Sequence, residues 1–223
     1  QWKSFDIGEE IEAVTGLPTS SCNDATGACA AELVFGNPND FQNFLYFFIG
    51  TFIGGGVVLG GDLFTGPQGN AGAIGPIPIQ ATDGSGQIRQ LIGAASIYTL
   101  EKRLAAEGKD PAIIWRMPDS WNNLGAVVDV WIDEVSAAIA YAMISAMSVI
   151  DFEAIVIDGA FPPEVRSRIL SGTSKALEEL DRQGVSRFAL AEGILGGNAR
   201  AIGGACLPLL SNFAPDSDVL LKD

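Results

Sequence analysis

The chain has 223 residues, 48% of them apolar and 18% charged, enough for one packed domain and too apolar for a disordered segment. Thirteen basic against 27 acidic residues leave a formal charge of −14, which excludes a nucleic-acid-binding surface on this chain itself. Histidine is absent, so His-based triads, His general bases and His-ligated metals are excluded as well.

The chain opens Gln1-Trp2-Lys3-Ser4, with neither a basic leader nor an initiator Met, and we expect a fragment of a longer protein. Ile7, Ile11 and Val14 predict a short helix that ends at Gly16, with Leu17-Pro18 closing it. Asp6-Ile7-Gly8-Glu9 imitates an Asp-x-Gly phosphate loop, but no apolar strand precedes it, and it reads as a helix start. A helix of small residues follows over 24–36, from Ala25 to Phe35, with Gly36 as its stop. The three cysteines, Cys22, Cys29 and Cys206, show no CxxC spacing, so neither a disulfide framework nor a zinc knuckle is indicated and a reducing, cytoplasmic setting is expected. On a continuous helix Cys22 and Cys29 share one face, as small core residues.

Phe44–Ile49 is a strand, Gly54–Leu59 a second, and Gly60-Gly61-Asp62 turns into a third. The uncharged run from Phe44 to Gly61 has the length of a membrane helix, but its glycines favour two strands around a turn, and no membrane partner is expected. Residues 65–76 form a glycine-rich loop. Helices are predicted over 96–107 and 124–147, the second with the stripe Val127, Val128, Trp131, Val135, Ala138, Ile139, Ala142, Met143 and Ala146. A buried strand, 154–157, ends at Asp158-Gly159; a helix opens at Pro162-Pro163 and runs to about Arg182; a strand at 188–190 and a helix over 198–210 complete an α/β pattern.

Four groups of residues carry possible chemistry. Asn23-Asp24 stands before a helix, as an N-cap or as a general base facing a cleft; without His, an Asp is the base this chain has to offer. Gly50-Thr51-Phe52-Ile53-Gly54-Gly55-Gly56 is a phosphate-cradling glycine turn or a plain hairpin turn. Gly69-Asn70-Ala71-Gly72-Ala73-Ile74-Gly75 is a ligand loop, with Asn70 offering donor and acceptor to a sugar hydroxyl, or a plain surface loop. Asp158-Gly159, at a strand's carboxyl end, contacts a nucleoside or caps the next helix.

The order and spacing of these groups, together with Ala30-Ala31-Glu32, Phe35-Gly36 and Ala201-Ile202-Gly203-Gly204-Ala205, resemble the ROK family of repressors and sugar kinases from about residue 13 to 210. The resemblance implies the actin-like, ribonuclease-H-like ATPase fold. This chain (1–223) would be its second, C-terminal lobe with a mixed sheet and flanking helices, while the first lobe and any helix-turn-helix lie outside it. It also implies roles. Asp24 would be the catalytic base, and Asn23, Asp24, Asn70 and Gly72 ligand contacts. Gly50, Thr51 and Gly54 would form the phosphate loop, and Asp158 and Gly159 the nucleoside region. The family's sugar-loop Glu and His are here Ala73 and Pro76, the third phosphate-loop residue is Phe52, and Asp158 brings a negative charge towards ATP. The zinc segment is replaced by Thr82–Leu91, so no metal site is expected, and a second sugar-binding Glu falls near Ile92.

These departures favour a sugar-sensing effector domain of a ROK-type transcriptional regulator, without kinase activity or cofactor, touching DNA only through a domain outside this chain and assembling as a homo-oligomer. The alternative is an ATP-dependent sugar kinase using ATP and Mg, with Asp24 as base. A third reading is a dimerisation module built on the long apolar helix.

Overall fold

The computed structural model describes residues 5–213 apart from 20, 38, 82–84 and 119. In chain order they form α1 (Ile7–Thr15), α2 (Asp24–Ala31), β1 (Phe44–Ile49), β2 (Ile53–Leu59), β3 (Asp62–Phe64), β4 (Pro78–Gln80), β5 (Ile88–Gln90), α3 (Ile97–Ala106), α4 (Ile113–Arg116), α5 (Ala126–Met147), β6 (Ala154–Gly159), α6 (Pro163–Glu178), β7 (Ala189–Glu192) and α7 (Ala199–Phe213). Asp6 caps α1 by accepting the N–H groups of Gly8 and Glu9, and Gly16 ends it in the left-handed region at φ +69°, so the Asp-x-Gly imitation is a helix start. The predicted helix over 24–36 divides: α2 ends at Ala31 and continues as a π-turn over Glu32–Gly36.

β1 is buried along its whole length, which a strand tolerates only when both faces are covered. Phe44, Tyr46 and Phe48 face α2 and the start of α7, while Leu45, Phe47 and Ile49 face α3, α5 and α6. The sheet order is β3-β2-β1-β6-β7, antiparallel on the β2–β3 side of β1 and parallel on the β6–β7 side. The predicted meander is therefore only half of the sheet. Its other half arrives through the right-sized crossovers α3–α5 and α6, which local periodicity does not order. The β4–β5 hairpin, absent from the sequence reading, is a separate two-stranded ribbon of three-residue strands, too short to show a period. Helix α6 stops at Glu178, short of Arg182.

The α5 stripe is buried as predicted, with Ala146 only partly covered. It is spent on the domain's own core, which removes it as a ready-made dimer face. No helix among the described residues is long and apolar enough to cross a membrane. Cys29 and Cys206 are buried, but Cys22 is exposed before α2 begins, so the shared cysteine face does not form.

Glycines let the second layer sit on the sheet. A Cβ on Gly54 would lie 2.7 Å from the Ala25 Cβ, and one on Gly56 2.3 Å from the Cys29 Cβ, so α2 rests directly on β2. Gly54, Gly55 and Gly56 are thus strand residues and not part of the turn, which is Gly50–Phe52 alone. Helices α2 and α7 cross as closely: a Cβ on Gly203 would stand 1.9 Å from the Gly27 carbonyl oxygen. Neither backbone can yield locally, so Gly203→Ala is expected to force the helices apart and cost about 3 kcal/mol or more in urea unfolding. A loss under 1 kcal/mol would show that the crossing is loose.

Candidate functional site

Asn23 and Asp24 divide the two readings of their motif between them. Asn23 is the N-cap: its Oδ1 accepts the N–H groups of Ala25 (3.0 Å) and Thr26 (3.3 Å). That leaves Asp24 free of capping duty beyond a 2.9 Å bond from the Ala25 N–H. Its other oxygen lies 3.2 Å from Arg200 Nη1 on α7, and two-thirds of the side chain remains exposed. Arg200 is itself seated over the Phe48 ring, 5.4 Å from its centroid. It lies 176 residues from Asp24, and no sequence signal marked it.

Beside them is a cavity of about 140 Å³ between the start of α2, the first half of β2 and the 69–76 loop. Asn23, Gly54, Asn70 and Gly72 line it together, so the fold joins three segments that the sequence offered separately. Thr26 also lines it, a residue that reading the Asn23-Asp24 pair alone passed over. The loop is shaped by turns, with Ala71 N–H donating to Thr65 (2.9 Å) and Ile74 N–H to Gly72 (2.7 Å), and buried Ile74 anchors it. Gly72 sits at φ +80°, and a Cβ there would lie 2.6 Å from Gly56 Cα, so this position needs glycine for both conformation and space. The Asn70 side chain is exposed into the cavity and bonds to no other described residue. Ala73, Pro76 and Ile92 line it as well.

Gly50 and Thr51 lead into this cavity through β2. Their carbonyls accept the N–H groups of Ile97 (3.0 Å) and Tyr98 (3.1 Å) at the start of α3, and buried Ser96 accepts from Ile53 N–H at 3.0 Å. The turn is therefore pinned from below. Phe52 does not close over it: the ring is turned outward, 55% exposed, against Tyr98 at 5.5 Å.

Asp158 corrects the sequence reading. It neither caps α6 nor projects charge towards a ligand: it is fully buried and neutralised. Oδ1 accepts from Arg166 Nη1 and the Gly159 N–H, both at 2.8 Å; Oδ2 accepts from the Gly196 N–H (2.9 Å) and the Tyr46 hydroxyl (3.2 Å). Burial, then the Asp158 charge, holds the Tyr46 phenol well above its ordinary pKa and so keeps it a donor. Arg166 follows Asp158 by two turns' worth of chain, but only the packing of α6 aims it inward. Gly159 is required by contact: a Cβ would lie 2.5 Å from the Ile49 carbonyl oxygen.

Glu32, in the π-turn, belongs to the same buried network and accepts the Ile194 N–H at 3.3 Å on both oxygens. Burial, then the charge of Asp158, raises its pKa to about 7, against the pull of Ile194 and Arg166. The folded protein therefore keeps a proton that the unfolded chain releases near 4.5, and stability falls as pH rises from about 4.5 through 7, then levels. The loss is on the order of 2–3 kcal/mol. Glu32→Gln is expected to remove that dependence and to exceed wild type at pH 8. Parallel slopes for both proteins in thermal unfolding between pH 5 and 8 would contradict it.

The chain matches the ROK family over residues 1–177 and belongs to it. It is 41% identical over 71 residues to the N-acetylmannosamine kinase of Salmonella arizonae, covering 32% of this chain and 24% of that protein. The chain thus spans about a quarter of the length of the curated relatives it matches. A ROK family glucokinase from Streptomyces griseus, solved with glucose and AMPPNP, superposes with a TM-score of 0.70 at 22% identity, over 90% of this chain and 71% of its own. A ROK family transcriptional regulator, a homologue of the E. coli MLC protein, gives 0.63 at 23% identity over 89% and 54%. The mixed sheet with flanking helices is the family's actin-like ATPase fold.

Proposed function

We propose that this chain is the sugar-binding lobe of an ATP-dependent sugar kinase. The observation that carries this is the exposed Asp24 carboxylate on the first turn of α2, itself outside the cavity lining but between Asn23 and Thr26, which line the cavity together with Asn70. Sugar hydroxyls bind the Asn23 Nδ2, whose Oδ1 is taken by the cap, the Asn70 amide and the Thr26 hydroxyl. Asp24 takes the proton from the attacking hydroxyl as its oxygen bonds to the γ-phosphorus; the bond to the β-phosphate oxygen breaks and ADP leaves. Gly50 and Thr51, pinned by α3, and Gly159 flank the approach of the phosphates and nucleoside. Magnesium would accompany the nucleotide and neutralise charge on its phosphates.

Two of the departures that favoured a regulator lose their force, because Phe52 turns outward and Asp158 is neutralised in the core. The names of the curated relatives point the same way. The regulator reading draws on the wall of Ala73 and Pro76, which offers no carboxylate or imidazole. On that reading Asp24 only accepts a sugar hydrogen bond, the protein works as a cytoplasmic homo-oligomer, and DNA is met through a separate domain. A panel of sugars with Mg-ATP separates the two: sugar-dependent ADP release is expected, whereas sugar binding without turnover would favour the regulator.

A further inference from the structure

We propose a second binding site, at the opposite end of the sheet from Gly159, for a small phosphate monoester with an apolar or ring-shaped body. A cavity of about 480 Å³ opens between the last two turns of α6, the loop that follows and the start of β7, room enough for a small metabolite. β6 and β7 run parallel, pairing Ala154 with Ala189 and Ile157 with Glu192. The cavity therefore sits at the Ala189 end, while Gly159 and the Gly50–Phe52 turn lie at the other. It shares no lining residue with the cavity beside Asn23 and Asn70.

Arg182 and Arg187 both line this cavity. Arg103, Arg116, Arg166, Arg168 and Arg200 are each paired with a carboxylate. The guanidiniums of Arg182 and Arg187 have no ion-pair or hydrogen-bond partner among the described residues, although the chain carries 27 acidic residues against 13 basic. Two unpaired guanidiniums on one concavity make a local positive site on a negative molecule. Their loop is already seated. The Gln183 N–H donates to Asp181 Oδ1 (2.9 Å) and the Val185 N–H to the Arg182 carbonyl (3.0 Å), with Gly184 turning the chain at φ +87°. Val185 and Phe188 pack against the core, so little loop ordering is left to oppose binding. The Ser174 and Ser186 hydroxyls add donors to the arginine forks. A phosphate monoester, doubly charged and rich in terminal oxygens, uses that donor set, whereas a carboxylate leaves part of it unmatched. Leu177, Val185, Phe188 and Leu190 form the apolar lining that takes the body of the ligand. Glu178 also lines the cavity, and its charge disfavours a more highly charged anion such as a diphosphate.

Phenyl phosphate is the probe, being neither a sugar nor a nucleotide, with inorganic phosphate and phenol as its two halves. Calorimetry on the full-length protein is expected to show phenyl phosphate binding at least about tenfold tighter than either half. Combining Arg182→Gln with Arg187→Gln is expected to weaken it about tenfold to a hundredfold. Both side chains are exposed, so the fold tolerates the double change. Asp24→Asn is expected to leave the affinity within about twofold, because Asp24 lies away from this cavity. No binding of phenyl phosphate at about 10 mM overturns the proposal. So does an affinity unchanged in the double variant, or inorganic phosphate that binds as tightly as phenyl phosphate. Loss of binding in Asp24→Asn would put the probe beside α2 and overturn it as well.

Discussion

Arg166→Ala is expected to cost about 3–5 kcal/mol of stability, read by denaturant unfolding. Asp158 is wholly enclosed and Arg166 nearly so, and their 2.8 Å bond is the only cationic contact to that carboxylate among the described residues. Truncating the arginine leaves a buried charge supported by two backbone N–H groups and one phenol, too little to replace what water would give it. The damage would spread, because Gly196 holds the loop that leads into α7, and α7 carries Arg200 to Asp24. Adding Asp158→Asn to Arg166→Met removes both charges and is expected to recover most of the loss. A single-variant cost under 1 kcal/mol would contradict a structural role for the Arg166–Asp158 pair.

Asp24→Asn is expected to lower kcat about 10²- to 10⁴-fold while the sugar Kd moves only a few-fold. Asparagine keeps the size and the oxygen that accepts the Ala25 N–H, so α2 and the neighbouring cap are undisturbed. What disappears is the capacity to take a proton and the charge facing Arg200. If the carboxylate merely bound sugar, Kd would rise and kcat would hold; a kcat within tenfold of wild type would remove Asp24 from the chemistry.

Much of the fold was legible. The 3.6-residue stripe of α5 declares a helix, and the short unbroken aromatic run of β1 between turn signals declares a strand buried on both faces. Asn23, Asn70 and Gly72 were named as ligand contacts through the family resemblance, and the fold gathers them around one cavity. What stayed illegible depends on contacts between distant segments. The charge on Asp158 looked like an obstacle until α6 supplied Arg166. The bulk of Phe52 looked obstructive until Tyr98 offered it a surface. Arg200 reaches Asp24 only because Gly27 and Gly203 let α2 and α7 cross at backbone distance. The triple glycine of β2 was placed both in a strand from Gly54 and in a glycine turn from Gly50, because glycine marks turns and close approach alike; α2 packed above it settles the strand.

The most direct measurement is a phosphorus NMR spectrum of the full-length protein incubated with Mg-ATP and its tightest-binding sugar. A new phosphate-ester resonance, growing with ADP and nearly absent with Asp24→Asn, is the expected result. Sugar binding with no ester and no ADP would contradict a kinase and leave a sensor.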